Sequence, residues 1–275
     1  MALVDISRKS ECYRSSTACA HLPDIALNEQ ICTILRSVAE KAARESWLYV
    51  PHLHPVDIDN VLTTVTHAGE DILIQVTCST IYKTGVEMDA LFATCAACAA
   101  VSAEYDSFRV KKIHVVRKVK LPERPRDTNN NNAEQIDYKS VEVIVRENIQ
   151  ARCVGYLNLK DETLRLVKEK RVEKGDPVEA SRVAALLALK RAWQLIPLFP
   201  RPKIEAARVD VSLEDSHVRA EVLCKMPVGH GSECLFALLV CLVCFWDMVK
   251  KYEKDEMGQY PHTYMYDIEL EIGCL

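Results

Sequence analysis

The sequence carries no excess of positive charge. Lys and Arg number 35 against 39 Asp and Glu, a formal net charge of -4. A general nucleic-acid binder shows a basic excess, so that class is set aside. A local basic site for a phosphorylated small molecule is not. There is also no apolar run of the length that spans a bilayer, which takes about 20 residues. The longest, CLFALLVCLVCFW at 234–246, reads as a buried helix. The first residues lack the apolar core of a secretory leader. Arg8, Lys9 and Arg14 among serines have a transit-peptide flavour, which Asp5 and Glu11 argue against. The expectation is a cytoplasmic protein, with a mitochondrial one as the alternative.

Cysteine is not scarce; there are 12. Many sit inside apolar runs, so they read as reduced, packed thiols rather than a disulfide framework. The chain is 275 residues long, enough for one large or two ordinary domains. LPERPRDTNNNNAEQ at 121–135 has two prolines, charge, an asparagine run and no apolar periodicity. It reads as a linker. Residues 1–120 and 136–275 then form two repeats of similar length.

The two repeats say nearly the same thing. RESWLYVPHLHP (44–55) is echoed by KRAWQLIPLFPRP (190–202), with Trp47 matching Trp193 and Pro51 matching Pro197. An Ala-rich, helix-periodic stretch precedes each Trp. An alternating strand pair follows each turn: VLTTVTHAG with DILIQVTCS, then AARVDVSLED with HVRAEVLCK. Each repeat continues with a long apolar helix near a glycine and closes with a strand, IHVVRKVKL or YMYDIELEI. Another element stands in front. The expected fold is α+β: two tandem ferredoxin-like domains, helices packed on antiparallel sheets, related as a pseudo-two-fold pair.

Five stretches then stand out: KGDP (174–177), KRAWQLIPL (190–198), VPHLHP (50–55), TGVEMDAL (84–91) and WDMVKKYEKD (246–255). Together with LVDIS (3–7), they resemble the cyclic pyranopterin monophosphate synthase family of molybdenum cofactor biosynthesis, here as a tandem duplication of a domain that is normally a single chain. The matches divide unevenly. His54 becomes Pro200 in the second repeat. Glu87 and Asp89 become Gly231 and Glu233. Counting back from Trp47 puts Asn28, Glu29 and Gln30 where the second repeat has Lys174, Gly175 and Asp176. Counting on from Asp89 puts Ala103 and Asp106 where it has Asp247 and Lys250. YDSFR (105–109) offers Asp106 with Arg109 only through a helix insertion, so loss is the favoured reading.

Glu233 and Asp247 are 14 residues apart on one predicted helix, roughly 21 Å at 1.5 Å per residue. Helix-start acids and helix-end Asp/Lys therefore meet only between two antiparallel helices. A two-fold pair has two such places, and in a tandem chain they differ. One joins His54, Glu87 and Asp89 to Lys174, Asp247 and Lys250. The other joins Pro200, Gly231 and Glu233 to Asn28, Ala103 and Asp106. One composite site is expected to stay complete while the other decays.

The resemblance implies a lyase that rearranges cyclised dihydro-GTP into cyclic pyranopterin monophosphate and releases pyrophosphate. Lys174 and Lys250 are the catalytic candidates, since lysines bind phosphate and, when buried, move protons. Asp247 tunes Lys250, three residues on along the same face. His54, Glu87, Met88, Asp89 and Lys190 are the substrate-binding candidates. No cofactor and no metal are expected. The expected partners are a phosphorylated, GTP-derived pterin and further copies of the chain, as a trimer of tandem chains with pseudo-hexameric arrangement. Nucleic acid and membrane are not expected.

Each residue alone also has an ordinary reading. Lys174 would be a solvated turn, His54 a structural turn histidine, Asp247 with Lys250 a surface helix pair, and Glu87 an acid favoured by the helix dipole. Only the joint match reverses these. CAAC (95–98) and CLVC (241–244) have zinc-like spacing, but they are displaced by two residues when the helices are aligned, about 200° around the axis. Core packing is the preferred reading there. The competing function is a catalytically inactive scaffold or regulatory homologue. Asp89 favours it, because it is one methylene shorter than the family's Glu.

Overall fold

The computed structural model describes residues 3–25, 27–125, 145–197 and 199–274. From residue 126 onward, the linker expected at 121–135 lies outside the described residues.

The first half runs β1 (Cys12–Pro23), α1 (Glu29–Glu45), β2 (Asn60–Ala68), β3 (Asp71–Tyr82), α2 (Glu87–Ser102) and β4 (Ser107–Leu121). The second runs β5 (Arg146–Asn158), α3 (Asp161–Lys168), α4 (Pro177–Leu195), β6 (Ala206–Leu213), β7 (His217–Gly229), α5 (Ser232–Glu253) and β8 (Tyr264–Cys274). Apart from α3, each half is β-α-β-β-α-β, the ferredoxin-like order. The element left unspecified at the front of each repeat is a strand.

The eight strands form one antiparallel sheet in the order β2-β3-β1-β4-β8-β5-β7-β6. Each half contributes the same four-strand order, and the halves join through their last strands. Ser107 to His114 of β4 pair with Glu271 to Tyr264 of β8. Because β4 and β8 run in opposite senses and each follows its own long helix, α2 and α5 are also antiparallel. The expected pseudo-two-fold pair is thus built into a single sheet.

The two long helices lie on this sheet and against each other. Every residue of α2 is buried, as is nearly all of α5. A helix apolar all round belongs in a core. Phe92 and Phe236 meet edge to face at 6.0 Å, and Tyr49 packs on both. The outer helices close over them: Lys41 Nζ of α1 donates to the Gln194 carbonyl of α4 at 2.5 Å. The run at 234–246 sits within a 22-residue helix that is long and apolar enough to cross a membrane. The sequence expectation of a segment too short to span is corrected on length. Its burial is as expected, since the apolar window is 100% buried inside the fold. Helix propagation past Trp246 through Met, Val, Lys and Tyr adds the extra turns.

Cys95, Cys98, Cys241 and Cys244 are all buried, and burial pushes their thiols up from the ordinary range. They pack as small apolar groups. Among the described residues, no group of three or more His, Cys, Asp and Glu side chains is arranged to hold a metal ion.

Candidate active site

A cavity of about 640 Å³ opens where the end of α5 meets the start of α2. Its wall is strongly cationic. Arg8, Lys9, Arg14, Lys83, Lys118 and Lys120 come from the first half, and Lys174, Lys250, Lys251 and Lys254 from the second. Among the described residues, only Glu87 and Glu173 oppose these ten cations. Low-dielectric walls lined by one sign of charge concentrate the field, so the cavity suits a polyanion.

The loop before α4 shows how local sequence delivers a functional side chain. Gly175 has φ +106°, a backbone region that favours glycine. Asp176 caps α4 through its carboxylate, which accepts from Val178 N at 3.0 Å and Glu179 N at 3.2 Å. Pro177 takes the first helical position. Lys-Gly-Asp-Pro is therefore a turn and a cap with one residue left over. That residue, Lys174, points inward, and its Nζ donates to Asp247 Oδ2 at 2.6 Å and to the Asp247 carbonyl at 2.8 Å.

Asp247 is fully buried and also pairs with Lys250 Nζ at 2.9 Å. Burial would raise its carboxyl, but Lys250 and Lys174 outweigh burial and hold it below the usual range. The two lysines are driven apart. Burial, helped by the charge of Lys250, lowers Lys174 despite the attraction of Asp247. Burial works against Lys250 as well, but Asp247 and Glu87 overcome it and keep it above the ordinary lysine value. Lysines split in this way separate a group that can shed a proton from one that stays charged.

Glu87 faces them from α2. Its Oε1 accepts from Lys118 Nζ at 2.9 Å and from Tyr260 OH at 3.1 Å, with Lys254 Nζ 3.7 Å away. Burial opposes its charge, but Lys250, Lys118 and Lys254 push it well below the carboxylate range. Its Oε2 is buried without a hydrogen-bond partner. Gly85 makes room for it, since a Cβ there would lie 2.2 Å from Oε2. His54 also lines the cavity, with a buried Nε2 that has no hydrogen-bond partner.

The other expected residues sit differently. Met88 and Asp89 are buried in α2 behind the cavity wall. Asp89 accepts from Ser46 Oγ at 2.5 Å, and burial pushes its carboxyl up to about 7. Lys190 is exposed on α4 and does not line the cavity. The buried face of α4 runs through Ala184, Ala185, Ala188, Leu189 and Ala192, which turns Lys190 to solvent.

At the pseudo-symmetric place a different set of side chains meets. Arg146 pairs with Asp106 at 2.7 Å and donates to the His230 carbonyl at 3.2 Å. Phe199 packs beside His230, and a Cβ on Gly231 would strike the Ile272 side chain. Glu233 is fully buried and accepts from His230 N at 3.2 Å. Arg109 is elsewhere, paired with Asp267 at 2.9 Å on the sheet.

Several lining residues were missed by sequence reasoning. Lys254 carried a readable signal: Asp247, Lys250 and Lys254 follow i, i+3, i+7 on one helix face. Lys118 and Lys120 alternate onto one face of β4, but nothing local says what that face meets. Arg8 and Lys9 drew attention only as targeting-like charges. The end of α5 is well braced for its lysines. Lys160 Nζ donates to the carbonyls of Tyr252 at 3.2 Å and Lys254 at 3.0 Å, and buried Glu253 accepts from Thr263 Oγ1 at 2.5 Å.

Lys254 yields a pH prediction. Burial, together with Lys118 and Lys250, lowers it to about 8 against the pull of Glu87. The cavity therefore loses one positive charge as pH rises through about 8. Affinity for inorganic triphosphate is expected to fall across that step, and Lys254→Arg to retain it; calorimetric titration on either side of pH 8 reads this. The stability sign is fixed too. An unfolded chain keeps this proton up to about 10.5. Between about 8 and 10.5 the group thus favours folding more as pH rises.

A family model described as the MoaC family matches the chain twice, over residues 3–125 and 140–271. A relative from Saccharolobus solfataricus, named a probable cyclic pyranopterin monophosphate synthase, is 35% identical over 140 residues, 50% of this chain and 92% of that protein. Another of that name, from Sulfurisphaera tokodaii, is 38% identical over 140 residues, 50% of this chain and 91% of that protein. A third, from Methanothermobacter thermautotrophicus, is named a probable cyclic pyranopterin monophosphate synthase accessory protein. It is 33% identical over 145 residues, 52% of this chain and 89% of that protein. Each match takes about half of this chain and nearly all of the relative, the relation of a duplicated chain to single-repeat ones.

Proposed function

This chain belongs to the MoaC family as a tandem duplication of its domain, and we propose that it is a lyase of molybdenum cofactor biosynthesis. It converts cyclised dihydro-GTP to cyclic pyranopterin monophosphate and releases pyrophosphate at one composite site between the repeats. The observation that carries this reading is Asp247, buried between Lys174 at 2.6 Å and Lys250 at 2.9 Å, two lysines on the cavity that Glu87 and His54 of the other half also line. Lys174, the more readily deprotonated lysine, moves protons at the rearranging centre. Lys250 stays cationic and stabilises charge that develops on phosphate oxygens. Asp247 bridges the two, and Glu87 adds to the pull that keeps Lys250 charged. The free Glu87 Oε2 accepts from the guanidine-like edge of the pterin, and His54 meets the phosphates. The remaining cations draw in the triphosphate.

Curated relatives named as probable synthases favour this reading. The test is to incubate the purified chain with cyclised dihydro-GTP and quantify pterin product and pyrophosphate. Stoichiometric appearance of both is expected. A folded protein that makes neither would sink the enzyme and favour the second reading, an inactive accessory subunit. One relative carries an accessory name, and the second repeat has Pro200 and Gly231 where the first has His54 and Glu87. The proposed assembly is a trimer of tandem chains. Light scattering should then return three times the 31.1 kDa of one chain.

A further inference from the structure

A second groove of about 750 Å³ leads out of the cavity. We propose that it is a diphosphate site that holds pyrophosphate on its way out, an inference that rests on the reading above. Arg14, Lys118, Lys120 and Lys254 line both spaces, which makes the groove a continuation of the cavity. Arg117 lines the groove alone. Five cations thus face it, and no carboxylate does among the described residues.

The groove exists because two neighbouring strands stop at different points. β8 pairs with β4 only as far as His114. Beyond it, β4 keeps β1 on one side, where Arg117 lies opposite Thr17. On the other side no strand follows among the described residues. The side chain of Gln259 stands in for one: its Oε1 accepts from Lys118 N at 2.9 Å and its Nε2 donates to the Lys118 carbonyl at 2.9 Å. Gln259 thereby pins the loop carrying Met257 and Gly258 as the far wall. An open strand edge this rich in cations is an odd way to finish a sheet, but it is a serviceable path for an anion. Lys118 and Lys254 join the two spaces, since both line the groove and also hold Glu87. A diphosphate freed beside them meets one more cation, Arg117, in the outward direction. Arg117, which lines the groove and not the cavity, carries a planar fork of donors suited to phosphate oxygens.

Diphosphate chemistry has two sources here: the free leaving group and the tail of the bound substrate. The proposal is the leaving group. The experiment is calorimetric titration of the full chain with inorganic pyrophosphate, beside Arg117→Ala and Met257→Glu. Met257 is 82% exposed at the rim, so a carboxylate there repels an anion without disturbing the core. Each variant is expected to weaken pyrophosphate binding by about tenfold and to relieve product inhibition in step. Unchanged pyrophosphate affinity in both variants overturns the proposal. So does a raised KM for cyclised dihydro-GTP with pyrophosphate affinity intact, which would give the groove to the substrate's tail. A chain that shows no turnover, yet binds pyrophosphate in a way that depends on Arg117, would remove the proposed function and leave a diphosphate site standing.

Discussion

Lys174→Ala is expected to lower turnover of cyclised dihydro-GTP by about a thousandfold or more while leaving the fold in place. Loss of a positioned proton-transfer group costs about 10²–10⁴ in rate, and Lys174 also contributes charge. The fold should survive for two reasons. The loop is made by Gly175, Asp176 and Pro177, whose turn, cap and first helical position do not involve the lysine side chain. Asp247 also keeps Lys250 as its partner, so no buried charge is orphaned. Steady-state kinetics beside a thermal melt would check this. A variant within tenfold of wild type would remove Lys174 from the chemistry. A variant that lost its melt would make the loop structural after all.

Asp247→Ala should do the reverse and damage the fold first. The carboxylate is 0% exposed and holds Lys174 and Lys250, which are only 13% and 18% exposed. Removing one partner of a buried ion pair costs about 3–5 kcal/mol, because the remaining charge stays desolvated. Asp247→Asn, which keeps shape and a carbonyl acceptor, should cost less. Urea unfolding midpoints would separate the two, and equal stabilities for both variants and wild type would argue against the buried pair. The same group sets a pH dependence. Its folded carboxyl titrates below the ordinary value of 3.8. Its stabilisation is therefore fully present above the unfolded value and is lost as pH falls through the folded one. Stability should drop more steeply with acid in wild type than in Asp247→Asn.

The contrast between the two variants reflects how the site is built. Lys174 sits on a loop that its neighbours shape, so its side chain is available for chemistry. Asp247 sits near the end of α5, a helix buried along nearly its whole length, where a carboxylate persists only because two cations compensate it. At Glu87 a buried acid is again held by lysines, Lys118 of its own half and Lys254 of the other. The site is a lattice of buried carboxylates and half-buried ammonium groups, and its components cannot be removed independently.

Much of this was legible in local pattern. Alternation marked β2, β3, β6 and β7, and the all-apolar runs marked α2 and α5 as core helices. The repeated Trp-x-x-x-Pro turn gave away the duplication. His54, Glu87, Lys174, Asp247 and Lys250 were all singled out by motif. β1 and β5 were not named as strands, because Cys12–Pro23 and Arg146–Asn158 mix polar and apolar residues without clean alternation, each with a register shift midway. Lys190 stands apart from the cavity, because its place in a motif says nothing of the way a helix face turns.

What the sequence by itself determined is the pair of ferredoxin-like repeats and the chemical types at the site, since hydrophobic period, turn residues and motif spacing are all local quantities. What only the tertiary structure decided is which groups meet. Lys118, Lys120 and Arg14 join Lys174 and Lys254 because β4 and β8 pair antiparallel and bring the end of α5 to the start of α2. The protonation state of each group follows from that meeting, because burial and charge act over ångströms in space and not over positions in the chain.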